Sequence, residues 1–494
     1  MIPSLRTLIE TALRQLDDDQ PEAAEKSLRA ALDLNPRDDQ LLNLLGVSLI
    51  RQQREEEAIE PLRKAISLNR RDAEYHNALG CALRNTGKMD EGIESFQRAL
   101  KLDPNLQGAR FNLAQAFQYQ RDFAQADRLF RQLLAQRPGD VETVNALAAQ
   151  QWQLGEYDES LRTLRQGIEH APASGDLRFT LGEKLLALGR WEEGWFRYLW
   201  RVNRHGFLRK LGLPFDSPEL LELFPQRLDG KTIRVHAEQG IGDDLYFLRF
   251  VPFLRQRGAR VEGAVTPRLV EMVRRSGVLD AVEDAPERIP PNAGYRLLGD
   301  LPYLLRAAEL PIPGPIRFTP LADRMTEIAA RLAGLKRPLI GLTWRAGTGP
   351  EAGNRNVLFK EVKFTDFVAI TKSLPGTLLV LQRNPKAEEV RALSEACGER
   401  VADLSALNAD LEAMLALLAQ IDDYAGVSNT NMHLMAALGR GARVLVSRMG
   451  EFRWMAEGAE SPWFPGFRVY REAKDGSWLA ALASVATDFE PLAD

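Results

Sequence analysis

An aspartate set in a glycine-punctuated turn is the first place where this chain could do chemistry. Glu238-Gln239-Gly240-Ile241-Gly242-Asp243-Asp244 follows the apolar run Ile233 to Ala237 and precedes a second apolar run, Leu245 to Leu254. That order predicts a strand, a tight loop and a helix. Gly240 and Gly242 let the backbone turn sharply and come close to a ligand. The helix N-terminus then offers free N–H groups to an anion or polar ligand. Two roles are open to Asp243: a general base that takes a proton from an attacking hydroxyl, or a cap for the following helix. Asp244 suits the cap or a loop-orienting role.

A second group of residues could hold a phosphate. Arg345 ends the apolar run Leu339–Trp344, where its planar fork of donors would reach a phosphate oxygen. Gly426-Val-Ser-Asn-Thr-Asn-Met-His433 reads as strand, polar turn and helix. Its Ser428, Asn429, Thr430, Asn431 and free N–H groups form a candidate cradle for phosphate and ribose. His433 suits either a phosphate contact or a buried structural position. The five histidines are scattered, at 76, 170, 205, 236 and 433, so no metal site and no cofactor is expected.

Both groups fall at the carboxyl ends of candidate strands. From Lys231 onward, short β-rich runs alternate with helical runs. Strands are expected at Ile233–Ala237, Arg260–Val265 and Gly294–Leu298, then at Leu339–Trp344, Thr377–Gln382, Arg400–Asp403, Asp423–Val427 and Ala442–Val446. Helices are expected between them, at Leu245–Gln256, Arg268–Ser276, Ala322–Leu335, Phe364–Ser373, Ala387–Ala396, Asp410–Ala419 and Asn431–Leu438. Such alternation predicts parallel sheets covered by helices. A proline-rich passage (Pro302, Pro311, Pro313, Pro315, Pro320) separates two lobes of this kind. Ligands of such sheets bind beyond the carboxyl ends of the strands.

The first two hundred residues obey a different rule. Leu45-Gly46, Leu79-Gly80, Leu113-Ala114, Leu147-Ala148 and Leu181-Gly182 recur at one fixed step. So do the small set Ala24, Ala58, Gly92, Ala126, Ser160, Gly194 and the bulky set Leu28, Leu62, Phe96, Phe130, Leu164, Tyr198. Pro36, Pro104, Pro138 and Pro172 keep the same step, with Arg70 once in place of proline. The small residues are expected where the two helices of a pair touch, the bulky ones between pairs, and proline at the end of the second helix. This is the tetratricopeptide pattern, in six repeats over roughly residues 5–204. The resemblance implies stacked helix pairs with a groove that binds a protein or peptide; a spacer or dimerisation surface is the alternative. Trp191, Trp195 and Trp200 of the last repeat read as a surface that docks on the next domain, or as ordinary repeat core. The expected organisation is a repeat array over 1–204, a linker over 205–230, a first lobe over 231–325 and a second over 326–494.

Three motifs in the second half resemble heptosyltransferase-like GT-B glycosyltransferases: Gly240-Ile-Gly-Asp243, Ile340-Gly-Leu-Thr-Trp-Arg345 and Met432-His-Leu-Met-Ala-Ala-Leu-Gly439. With the helical repeats and the tail Ser461-Pro-Trp-Phe-Pro465, the chain resembles bacterial repeat-fused glycosyltransferases, some of which modify proteins such as flagellin. The resemblance implies an α plus α/β protein: a repeat solenoid followed by two Rossmann-like lobes. It implies metal-independent, inverting transfer of a sugar from a nucleotide-sugar co-substrate to a protein held by the repeats. Asp243 would be the base, with Glu238, Gln239, Gly240, Gly242 and Asp244 on the acceptor side. Trp344, Arg345, Lys360, Gln382, Ser428, Asn429, Thr430, Asn431 and His433 would hold the donor, Gln382 against the base. Lys360 has a solvated surface charge as its alternative. The chain departs from the wider family at Ser428-Asn429-Thr430-Asn431, where heptosyltransferases carry an acidic residue. Two other readings stay open: an adaptor whose second half is a degenerate module, and a transferase acting on a glycan or lipid-linked sugar.

Composition sets the remaining bounds. At 494 residues the chain exceeds a single core. A formal net charge of −4 gives no reason to expect nucleic acid or an anionic membrane as partner. Two cysteines, Cys81 and Cys397, fit a reducing compartment better than a disulfide framework. With no apolar signal-like run at the N-terminus and no long uncharged apolar window, a cytoplasmic protein without a membrane span is expected.

Overall fold

A computed structural model describes residues 4–215, 218–284, 295–347 and 360–489. Ser217, Gly294 and the last five residues of the expected second lobe lie outside them. The chain forms two compact units: Met1–Gln151 with Asp158–Pro172, and Trp152–Tyr157 with Ala173–Asp494.

The first unit is helical throughout its regular structure. Its helices pair as Leu5–Asp17 with Pro21–Leu34, Asp39–Arg51 with Glu55–Leu68, Ala73–Asn85 with Met89–Leu102, and Gln107–Tyr119 with Phe123–Gln136. Tyr157–His170 ends the fifth pair. The repeating residue types have a steric cause. A Cβ on Gly46 would lie 2.4 Å from Leu62, and one on Gly80 would lie 2.5 Å from Phe96. The bulky set therefore fills a notch inside its own pair, which corrects the expectation that it lies between pairs. Phe96 also clusters with Leu113 and Ala116 of the next pair, so one ring serves both contacts. The prolines stand two residues beyond the helices ending at Leu34, Leu102, Gln136 and His170. Proline pushes the preceding residue out of the helical region, so the helix stops. The first unit and the start of the second thus carry a tetratricopeptide solenoid, followed by an α/β region with parallel sheets.

The second unit opens with the sixth helix pair, Gly175–Ala187 and Trp191–Tyr198. Helix Val202–Lys210 follows, crossing from the expected repeat array into the stretch from 205 expected to be a linker. The first sheet contains β1 (Thr232–His236), β2 (Arg260–Val265), β3 (Ala281–Asp284) and β4 (Tyr295–Leu297) in the order β3-β2-β1-β4. All three pairings are parallel. The second lobe contains β5 (Leu339–Thr343), β6 (Arg345–Ala346), β7 (Lys360–Glu361), β8 (Thr377–Val380), β9 (Val401–Asp403), β10 (Asp423–Val427), β11 (Arg443–Val446) and β12 (Arg468–Arg471). Its main sheet runs β12-β11-β10-β5-β8-β9, parallel throughout, and β6 pairs antiparallel with β7. This is a doubly wound arrangement, with strands added outward on both sides of the first one, β5. The crevice of such a sheet opens where the order reverses, here between β5 and β10 and, in the first lobe, between β1 and β4.

One apolar cluster runs through the second unit. It includes Trp195 from the sixth pair, Val235 and Tyr246 from the first lobe, and Met432 and Trp454 from the second. Trp195 meets Phe247, Phe250, Phe452 and Trp463 edge-on, with centroids 5.6–6.4 Å apart. Trp191 sits edge-on against Trp463, while Trp200 stays with Phe196 and Phe215. Among the described residues, no helix is long and apolar enough to cross a membrane.

Candidate functional site

At the carboxyl end of β1 the chain turns through Glu238–Gly240 into helix Ile241–Phe247. Asp243 sits at the third position of that helix. Its Oδ2 accepts the Gly240 N–H at 3.3 Å, so the capping role is realised. Oδ1 faces Arg453, with which it forms an ion pair and hydrogen bond. Helix Ile241–Phe247 packs on helix Thr430–Ala437 of the second lobe. A Cβ on Gly242 would come within 3.3 Å of the His433 ring, so glycine permits this approach.

From Asp243 a row of alternating charge crosses into the second lobe. Arg453 donates to Glu451 at 3.3 Å through Nη1. Glu451 pairs with Lys360, and its Oε1 accepts the Ser428 hydroxyl at 3.3 Å. Lys360 also donates to the Ser428 carbonyl at 3.3 Å. Burial, then the like charge of Arg453, lowers the Lys360 pKa to about 7. Arg453 lies over Tyr246, 4.6 Å from the ring centroid. Burial alone would lower its pKa; the Asp243 carboxylate outweighs that and raises it. Burial lowers the His433 pKa well below the usual value, and Arg453, Arg249 and Lys360 add to that. His433 is thus neutral at pH 7, edge-on to Phe464. Helix Gly175–Ala187 packs on Phe452–Trp454, and the Ala456 N–H donates to the Ala187 carbonyl at 2.8 Å. Its Glu183 carboxyl is pushed up by burial while Lys184 and Arg453 oppose the rise. A narrow cleft beside this row is lined by Lys360, Ser428, Ser447, Glu451 and Trp454, with a free cavity of about 10 Å³. That is about the room one water needs, so side chains of the row must move before a larger ligand enters.

Other residues singled out in the sequence have internal tasks. Glu238 does not line an open acceptor surface: its buried carboxylate accepts from Arg201 at 2.6 and 2.8 Å. Arg201 also pairs with Asp300 at 2.7 Å, and Arg204 pairs with Asp300 at 2.9 Å. Gln239 accepts from the Tyr198 hydroxyl at 3.1 Å and donates to Glu238 at 3.1 Å. The first-lobe crevice between β1 and β4 is therefore filled from within. Asp244 is buried and bonded to the Thr266 hydroxyl beyond β2; burial raises its pKa to about 8.

In the second lobe, Trp344 is fully buried between Phe364 and Phe367, and its indole donates to Glu389 at 3.1 Å. It belongs to the core because β5 is covered on both faces. Gln382 is buried, and its Oε1 takes the Trp344 and Arg345 N–H groups at 3.0 Å each, a backbone clamp rather than a base contact. Arg345 pairs with Glu389 and donates to the Asn384 carbonyl at 2.7 Å. Asn429 caps the next helix through the Asn431 and Met432 N–H groups, and its amide donates to Thr343 and Tyr424 at 2.9 Å. Asn431 is buried and Thr430 half-buried at the start of that helix. The structure thus brings together Asp243, Gly242, Lys360, Ser428 and His433, and sets Trp344, Gln382, Asn429, Glu238 and Gln239 in supporting positions. It adds Glu451 and Arg453, which no motif marked. Their signal was position: both follow β11, just before the tail Ser461-Pro-Trp-Phe-Pro465. Among the described residues no group of histidine, cysteine or carboxylate side chains could hold a metal ion.

Comparison with known proteins bears on the repeats. Family profiles described as tetratricopeptide repeat match residues 9–73 and 145–197, 73–106, and 109–142. The N-terminal part of the chain is built of these repeats. Protein FlbA of Caulobacter vibrioides is 27% identical over 362 residues, which cover 68% of this chain and 59% of that protein. The chain therefore spans about three fifths of that relative's length. Similar solved structures include MamA, 19% identical over 33% of this chain and 95% of that one, with a TM-score of 0.30. A tetratricopeptide protein of Thermus thermophilus is 20% identical over 37% of this chain and 100% of its own, with a TM-score of 0.34. The first repeat domain of Spaghetti (RPAP3) bound to an HSP90 peptide is 21% identical, with a TM-score of 0.23; the match covers 23% of this chain and 91% of that one.

Proposed function

We propose that the protein moves a sugar from a nucleotide-sugar donor to a protein acceptor held by the repeats, and that its second half is a GT-B glycosyltransferase. One observation carries this reading: Asp243, just beyond the carboxyl end of β1, pairs with Arg453, and the row continues through Glu451 to Lys360 beside Ser428, just beyond β10. The first lobe supplies a base and the second supplies charge for a leaving group. In the transfer, the acceptor oxygen bonds to the sugar C1 as the bond from C1 to the diphosphate oxygen breaks. That electron pair leaves on the diphosphate, and the hydroxyl proton passes to Asp243. Lys360 and Arg453 stabilise the charge that grows on the diphosphate. The repeats bring the polypeptide acceptor, as tetratricopeptide arrays commonly hold protein partners.

The test is transfer by the purified chain, with candidate acceptor proteins and a panel of nucleotide sugars. Asp243→Asn is expected to lower turnover by roughly 10²–10⁴-fold, the usual worth of a general base. Turnover at the wild-type rate would remove Asp243 from the chemistry.

A second reading, a non-catalytic adaptor, draws on one specific feature. The first-lobe crevice is closed by Arg201, and the cap of helix Thr430–Ala437 is taken by Asn429. Calorimetry separates the two readings: absence of nucleotide-sugar binding at millimolar donor, in a chain that still binds a protein partner, favours the adaptor.

A further inference from the structure

Arg453 is the residue of the charged row with capacity to spare. Its side chain is more than nine-tenths buried, with 8% exposure. Nη2 serves Asp243 and Nη1 serves Glu451, while the Nε–H is buried without a hydrogen-bond partner among the described residues. A guanidinium carries five N–H donors in one plane, a fork that suits phosphate oxygens. Both of its carboxylates have other partners. Glu451 keeps Lys360 and Ser428, and Asp243 keeps the Gly240 N–H.

We propose that Arg453 binds the donor diphosphate, and that in the free chain Asp243 holds it in reserve, so that donor binding and release of Asp243 are one event. This rests on the glycosyltransferase reading above. The order of charges supports it. Asp243, Arg453, Glu451 and Lys360 form a row of alternating sign. A diphosphate that approaches Arg453 competes with the two carboxylates already on it. Asp243 is the end of the row and the carboxylate nearer the first lobe. Paired with Arg453, Asp243 gives its Oδ1 to the guanidinium instead of to an acceptor hydroxyl. Once the guanidinium turns to the diphosphate, that oxygen is released to meet the acceptor. The carboxylate is therefore available only when the donor is in place, which imposes donor-first order.

The experiment is titration calorimetry of the full chain with inorganic pyrophosphate and with nucleoside diphosphates. The proteins are wild type, Asp243→Asn, Arg453→Gln and the double variant, each checked for an unchanged melting profile. Removing the competing carboxylate in Asp243→Asn is expected to tighten pyrophosphate binding by about fivefold or more, a common size for coupled sites. Arg453→Gln is expected to weaken it by a similar factor or more, and in that background Asp243→Asn brings no gain. An equal gain with and without Arg453 would reduce Asp243 to a general field effect and overturn the proposal. So would unchanged or weaker binding by Asp243→Asn. If neither wild type nor Asp243→Asn binds pyrophosphate or any nucleoside diphosphate at millimolar concentration, the glycosyltransferase reading falls with it. Binding that is present but uncoupled removes the reserve mechanism alone.

Discussion

The two lobes wind their strands in the same way and use the resulting crevice in opposite ways. In the first lobe, the reversal between β1 and β4 holds Arg201, whose guanidinium bridges the buried carboxylates of Glu238 and Asp300. In the second, the reversal between β5 and β10 is tied by Asn429, Thr343 and Tyr424, and beyond it lies the row of Lys360, Glu451 and Arg453. Topology supplies a crevice in each lobe. Whether it becomes structure or site depends on how firmly its charges are matched. Arg201 is 2% exposed, with partners of 2% and 3%, and is locked. Lys360 and Glu451 are 20% and 16% exposed, and Glu451 divides its carboxylate among Lys360, Arg453 and Ser428.

The contrast is broken most severely at Arg201. Arg201→Ala leaves Glu238 and Asp300 charged or protonated in the interior, and is expected to cost about 3–5 kcal/mol. Chemical denaturation of this variant beside Lys360→Ala measures the difference. Equal losses would mean that the two crevices are held alike.

A smaller effect is expected where the lobes approach. Gly242→Ala places a methyl group 3.3 Å from His433, and overpacking of this kind costs about 1–3 kcal/mol. A thermal melt suffices to read it, and no loss at all would show that His433 retreats freely.

The gentlest probe is pH. Burial and Arg453 hold the Lys360 pKa near 7, so this ammonium is charged below that value and neutral above it. Binding of pyrophosphate that depends on Lys360 therefore weakens as pH rises through about 7. Lys360→Arg, whose side chain stays charged, should keep binding flat up to about pH 9. A wild-type profile flat over the same range would take Lys360 out of the anion seat.

How much of this was readable from the residues follows from the range of each interaction. The helix pairs were legible because Gly46 and Leu62, or Gly80 and Phe96, repeat one local contact at a fixed step. Strands β1, β2, β5 and β10 were legible as apolar runs before polar turns. Strand β12 and helix Leu479–Thr487 lie outside the expected elements although Pro465-Gly466 and Asp475-Gly476 mark turns before them. Helix Val202–Lys210 straddles the expected end of the repeat array at 204 and start of the linker at 205, because its charged residues hide the periodicity; its Arg204 turns inward to Asp300. Within the site, Asp243, Ser428 and His433 stood in motifs that glycine and local turns make visible. Arg453 lies 210 residues from Asp243, and a pairing over that distance leaves no pattern in one sequence. Trp344, Gln382 and Asn429 carried the right chemistry at strand ends. Whether such groups face a ligand or a neighbouring N–H is settled by packing.

The proposed donor seat in the second lobe can be tested directly by thermal shift with a panel of nucleotide sugars on wild type and on Lys360→Ala and Arg453→Gln. A ligand at about a hundred times its Kd stabilises the folded chain by about 2.7 kcal/mol. At least one nucleotide sugar is expected to raise the melting temperature of wild type, with the rise lost in both variants. A panel that leaves wild type unmoved at millimolar concentration, or a rise that survives in either variant, would contradict a nucleotide-sugar seat at Lys360 and Arg453.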